Sequence, residues 1–194
     1  MFDSLDIFEE IAKELDVEVA AIKAVAHVES RGDGFLPSGH PKILFESHQF
    51  RKRTQGQYDS SHPTISHKYA DSEGNVIRNY LGGEEEVTER LNVAIGLDRE
   101  AALKSASWGK FQIMGFNHKS AGYNTVEEFV TAMKEDLDNH YWAFAMFVKS
   151  NPNMHTALKN KDWASFACAY NGEDYATNKY DQKMKEAYEK FKIN

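Results

Sequence analysis

The sequence predicts a mainly α fold (α+β) with a small β hairpin or wing. Apolar residues recur at helical spacing over most of the chain, helix caps punctuate those runs, and two stretches break the period with prolines or a Gly-Asn turn. The first run, SLDIFEEIAKELD, has apolar residues at 5, 8, 11, 12 and 15, with Ser4 or Asp3 as cap. A second helix spans about 17 to 30, its core VEVAAIKAVA, and stops at Arg31 and Gly32. FLPSGHPKILFE then suits an extended segment before a turn into SHQFRKR. Residues 51 to 83, rich in His, Ser, Gly and Asn, read as a long surface insertion of the kind that carries binding loops. Within it SHKYADSEGNVIRNY places a Gly-Asn turn between tyrosine-rich flanks, which predicts a hairpin.

Helical signals then return. EEEVTERLNVAIG and DREAALKSAS read as two short helices broken near Gly96. T-V-E-E at 125 to 128 is a capping box, Thr125 with Glu128, opening one long helix through EFVTAMKEDLDNHYWAFAMFVKS. The last helix carries an apolar stripe of Tyr180, Met184, Ala187, Tyr188 and Phe191. Lysines 179, 183, 185, 190 and 192 stand there against Asp181, Glu186 and Glu189, so it reads mainly as a packed helix that also offers weak contact to a wall or membrane surface.

The 194 residues show no linker, so one domain over 1–194 is expected. With 41% hydrophobic and 27% charged residues the composition is that of a folded globular chain, which excludes disorder. A net charge of -7 disfavours nucleic acid as a partner. MFDSLDIFEEIAKELD lacks the basic start and apolar run of a secretory signal, and no stretch is apolar enough to span a bilayer, so the chain is expected to fold in the cytosol. The one cysteine, Cys168, excludes an internal disulfide and is expected in the core.

The chemistry begins at Glu29. Ile22, Val25 and Ala26 stand seven, four and three positions before it, so its carboxylate should lie on their apolar face. Desolvation there would raise its pKa and suit a proton donor; a cap or a pairing with Arg31 explains the same placement. SWGKFQIMG, Ser107 to Gly115, looks like a loop entering a helix, and AYNGEDYA ends an apolar helix in Tyr-Asn-Gly. None of the eight histidines forms a helical i, i+4 pair around a glutamate, and there are no cysteine pairs, so neither metal nor other cofactor is expected.

In order, ES, then G-x-x-Q-I-M, then A-Y-N-G resemble the three signatures of the lysozyme-like superfamily, shared by lytic transglycosylases and goose-type lysozymes. AIKAVAHVESRGDGFLPSGHPKILFE, REAALKSASWGKFQIMGFN and FACAYNG with the following YDQKMKEAY resemble the N-acetylmuramidases of bacteriophage endolysins, from about Val17 to Tyr188. The resemblance implies a lysozyme-like helical domain that cuts the β-1,4 bond between N-acetylmuramic acid and N-acetylglucosamine in peptidoglycan glycan strands, with Glu29 as general acid. It also implies delivery from the host cytoplasm to the periplasm and wall through lesions made by another protein. A monomer is expected. The alternatives are a lytic transglycosylase, which leaves 1,6-anhydromuramoyl ends, and a non-catalytic wall-binding domain.

Such chemistry needs a second carboxylate. Glu46, sharing a strand face with Leu44 at the end of ILF, is the first candidate, although an acid there also suits the start of the next helix; Asp33 is a weaker one. Ser107 and Gln112 offer hydrogen bonds to acetamido or hydroxyl groups, Tyr170 a hydroxyl to Glu29 or a face near a sugar, and Asn171 an amide that holds the loop or the sugar, while Trp108 and Tyr123 offer flat faces for pyranose rings, or else belong to the core.

Overall fold

A computed structural model describes residues 4–30, 33–77 and 83–193. In chain order α1 (Ser4–Leu15) and α2 (Val19–Glu29) lead to β1 (Ile43–Phe45) and α3 (Ser47–Arg53). Then come α4 (Glu84–Leu97), α5 (Arg99–Lys104), β2 (Ala106–Trp108) and β3 (Ile113–Met114). The chain closes with α6 (Val126–Glu135), α7 (Leu137–Ser150), α8 (Pro152–Asn160), α9 (Trp163–Asn171) and α10 (Tyr180–Ile193). The mainly α fold with a small antiparallel sheet is as expected. Its contacts divide the chain into two compact units.

The first unit gathers the described residues of Met1–Gly34, Ser120–Gly122 and Asp136–Asn194. α1 buries Ile7, Ile11, Ala12 and Leu15, the stripe expected from its spacing, against α2 and α7. α2 is apolar nearly all round because α10 covers it from another side. α10 supplies Met184, Ala187 and Tyr188 to that contact side, and Tyr188 donates its hydroxyl to Glu18 Oε2 at 2.6 Å. The expected cap at Asp3 and stop at Arg31 and Gly32 lie outside the described residues.

The long helix expected from 125 to 150 is two helices. The capping box forms, with Thr125 Oγ1 accepting from the Glu128 amide at 3.1 Å and Glu128 Oε2 accepting from the Thr125 amide at 3.2 Å. Asp136 then leaves helical geometry (φ -154°, ψ 170°) and accepts from the Asn139 amide at 2.8 Å, so it starts α7 as an N-cap. Cys168, expected in the core, is exposed: α9 buries Trp163, Phe166 and Ala167, and the thiol falls on the opposite side.

The second unit gathers Phe35–Lys119 and Tyr123–Glu135. Its sheet has the order β1-β2-β3, all antiparallel, with Leu44 opposite Ser107, Phe45 opposite Ala106 and Trp108 opposite Ile113. SWGKFQIMG is therefore a tight hairpin and not a loop entering a helix. Gly115, just beyond it, passes so close to the Leu103 carbonyl that a Cβ would collide with it. The break between α4 and α5 falls at Asp98, whose carboxylate accepts from the Ala101 amide at 3.0 Å; Gly96 stays inside α4.

In the insertion, polar bonds do what periodicity does elsewhere. Asp59 accepts from Arg51 Nε at 2.7 Å and from Ser66 Oγ at 2.6 Å, while Tyr58 stacks on Phe50 and donates to the Leu97 carbonyl at 2.9 Å. Among the described residues the expected hairpin shows one bridge, Ala70 with Val76, and a bond from the Ile77 amide to the Tyr69 carbonyl at 2.9 Å, around a turn in which the Asp71 carboxylate accepts from the Glu73 and Asn75 amides. Its second flank, Arg78 to Tyr80, lies outside the described residues.

Candidate active site

Glu29 is the last residue of α2. Ile22, Val25 and Ala26 on its face are fully buried, as the spacing requires, but Glu29 itself is half-buried because the helix ends there and opens toward solvent. The expectation of a buried acid is corrected to that extent. α9 meets it from the same unit. Phe166 is buried on that helix, Tyr170 stacks on it with ring centroids 6.0 Å apart, and Phe144 and Phe147 of α7 close edge-on around Tyr170. α9 ends at Asn171 because Gly172 takes φ 82° and ψ -176°, a region open essentially to glycine alone.

That ending aims Asn171. Its Nδ2 donates to Glu29 Oε1 at 2.7 Å, across 142 residues of sequence. Burial, and then the negative charge of Glu29, push the pKa of the Tyr170 hydroxyl above its ordinary value, so the phenol stays protonated. Glu29, Tyr170 and Asn171 thus form one cluster.

Glu46 belongs to the second unit. β1 sends Phe45 into the core, so Leu44 and Glu46 share the other face, both half-buried. The Glu46 amide continues the strand pairing by donating to the Ser105 carbonyl at 2.9 Å, and its carbonyl accepts from the Gln49 and Phe50 amides to start α3. The side chain makes no capping bond to the first amides of α3. Instead Oε2 lies 3.4 Å from His48 Nδ1, a residue considered in the sequence only for metal binding. A histidine two positions past a glutamate, at a strand-to-helix junction, was the available signal. Asp33 is exposed.

The remaining sequence candidates turn inward. Ser107 Oγ donates to Gln112 Oε1 at 2.9 Å, and Gln112 Nε2 donates to the carbonyls of Gly109 at 2.8 Å and Lys42 at 3.3 Å. These bonds hold Gln112, which is half-buried, in a left-handed conformation (φ 49°) and engage its amide inside the hairpin, so both residues shape the strand beside β1. Trp108 is 2% exposed and donates to the Leu103 carbonyl at 3.2 Å. It is core and offers no face to a pyranose. Tyr123 is half-buried, edge-on to Phe129 at 5.6 Å. Among the described residues no three His, Cys, Asp or Glu side chains gather as a metal ion would require.

A helical fold with a small antiparallel sheet and a glutamate at the end of an apolar helix, gripped by the asparagine of an A-Y-N-G segment, is that of a lysozyme-type glycoside hydrolase. The family follows from sequence: the model of the N-acetylmuramidase family matches residues 18–192, and the chain belongs to that family. Among solved structures, the crystal structure of an endolysin from Burkholderia phage AP3 is similar, at 37% identity and a TM-score of 0.88, over 97% of this chain and 71% of that one. No curated protein matches the chain. The chain is a peptidoglycan hydrolase that acts on the bacterial cell wall.

Proposed function

We propose that Glu29 is the general acid and Glu46 the second carboxylate in hydrolysis of the β-1,4 bond between N-acetylmuramic acid and N-acetylglucosamine. The observation that supports it best is the Asn171 bond to Glu29 Oε1. A protonated carboxyl has one carbonyl oxygen and one hydroxyl; with Oε1 accepting from Asn171, the proton resides on Oε2 and is delivered from there to the glycosidic oxygen. Glu46 then takes a proton from the water that attacks the oxocarbenium-like sugar and passes it to solvent, which returns one to Glu29. Tyr170 braces the Asn171 end of α9. Tyr123 keeps a partly open face for substrate.

The 194 residues act as one catalytic domain and as a monomer in this reading. The enzyme reaches the periplasm from the host cytoplasm once another protein has opened the membrane. α10, with Lys183, Lys185, Lys190 and Lys192 and an 84% exposed Ile193, gives weak contact to the wall or membrane surface.

Mass spectrometry of digested sacculi tests the reaction. Reducing muramic acid ends are expected, and 1,6-anhydro ends as the primary product would replace the hydrolase by a transglycosylase. Glu29→Gln should lose at least roughly a hundredfold in clearing rate, and Glu46→Gln less, because solvent can partly replace a base but not the proton donor. A wild-type rate for Glu29→Gln removes it as the acid.

A further inference from the structure

The surroundings of Glu46 fix more than its position. Arg53 Nη1 donates to Gln49 Oε1 at 2.8 Å and to the Gln49 carbonyl at 2.9 Å. A guanidinium only donates, so the amide oxygen of Gln49 must face Arg53 and its NH2 must face away. That NH2 meets His48 Nε2 at 3.1 Å. It too only donates, so Nε2 accepts and the single proton of the neutral imidazole sits on Nδ1. Nδ1 is the ring atom that faces Glu46, with 27% and 18% of the two side chains exposed. Tyr69 covers the imidazole edge-on at 5.0 Å, and Arg53 lies 4.5 Å over the Phe116 ring, so the row is held at both ends.

We propose that His48 is a positioning residue for Glu46: Gln49 and Arg53 fix its imidazole with the proton on Nδ1, and that N–H orients the carboxylate. This rests on the reading of Glu46 as the second carboxylate. A neutral donor suits the task, since it stabilises the negative charge without cancelling the base as a full cation would. A protonated His48 would also set a second donor against the Gln49 NH2 and break the row.

The groups facing His48 act the same way on balance. Burial lowers its pKa, Glu46 raises it, and His67 and Arg53 lower it, with a net result below the ordinary value. The ring is therefore neutral near neutral pH. As pH falls through the lowered value, the imidazole gains a proton, releases Gln49 and ties Glu46 into an ion pair. The acid limb of kcat then reports the pair and not one residue.

Nitrogen-15 NMR of the full chain with labelled histidine reads the tautomer directly, and kinetics on solubilised glycan strands across the acid range read its effect. His48 should show a protonated Nδ1 and a bare Nε2 near neutral pH. His48→Phe should lower kcat roughly tenfold or more with KM little changed, and remove the His48 titration from the acid limb. His48→Asn, whose amide NH2 stands near the Nδ1 position, should return kcat to within about threefold of wild type. Combined with Glu46→Gln, His48→Phe should add nothing. An Nε2-protonated ring, a wild-type profile for His48→Phe, or an equal loss in the Glu46→Gln background overturns the proposal while Glu46 keeps its role. A wild-type rate for Glu46→Gln alone defeats the reading of Glu46, and this proposal with it. If His48→Phe does not fold by circular dichroism, the tautomer and the His48→Asn profile decide.

Discussion

Asn171 donates to one oxygen of Glu29, and in the proposed reading the other carries the proton. Asn171→Asp replaces that donor with a second carboxylate at hydrogen-bonding distance, and two like charges so close raise the pKa of the pair. The alkaline limb of kcat, followed by release of reducing ends, should move to higher pH by about one unit; an unmoved limb separates Asn171 from Glu29 chemistry. Glu29 was readable from sequence because it ends an apolar helix, where spacing tells which side chain faces inward; Asn171 was readable as a helix end, but its bond to Glu29, across 142 residues, was not. The partners of Gln112, Ser107 and Trp108 were not legible in the sequence, for a physical reason. Their strands are two and three residues long, too short for a period to show, and what their polar atoms bond to depends on the register between β2 and β3. Residue type suggested sugar contacts; register joins Ser107 to Gln112 and buries Trp108.

At the level of elements, the break at Asp136 sits within a run whose apolar residues continue on both sides. Asp136→Ala should cost about 1 kcal/mol in chemical denaturation, the usual worth of an N-cap, with little change in helix content. A loss below about 0.3 kcal/mol would mean the break is held by packing alone. The capping box at Thr125 was legible because both of its partners lie within four residues. The Asp136 cap was not, since a strong apolar run outweighs a single Asp to the eye. The insertion hides its order for a related reason: Arg51, Asp59 and Ser66 meet across gaps of eight and seven residues, which no helical or strand period marks.

Across the whole molecule, acid lability follows from the carboxylates that cations and donors hold ionised. Asp16 beside Lys159, Glu18 beside Lys161 and Tyr188, Asp59 beside Ser66 and Arg51, and Glu127 beside Arg99 all have pKa values below their ordinary 3.8 or 4.5. A depressed folded-state pKa contributes stability that is present above the unfolded value and lost as pH falls through the folded one. The Tm should therefore hold near neutral pH and drop as pH passes below about 4. The drop should be shallower in high salt, because these pairs are exposed and screened. A Tm insensitive to acid would leave the pairs without weight. The sequence fits one domain because the second unit sits between stretches of the first with no linker to betray it; only the contacts distinguish the two.

The packing of α10 on α2 has a consequence for how the molecule is made. A ribosome delivers Glu29 early and the residues that cover its helix only after most of the chain has followed. Until then Glu29 stands on an uncovered apolar helix with Asn171 not yet synthesised, so in the proposed reading chains cut short before α9 carry the acid without its partner. On that reading, wall cutting is expected only from chains in which synthesis has passed α10.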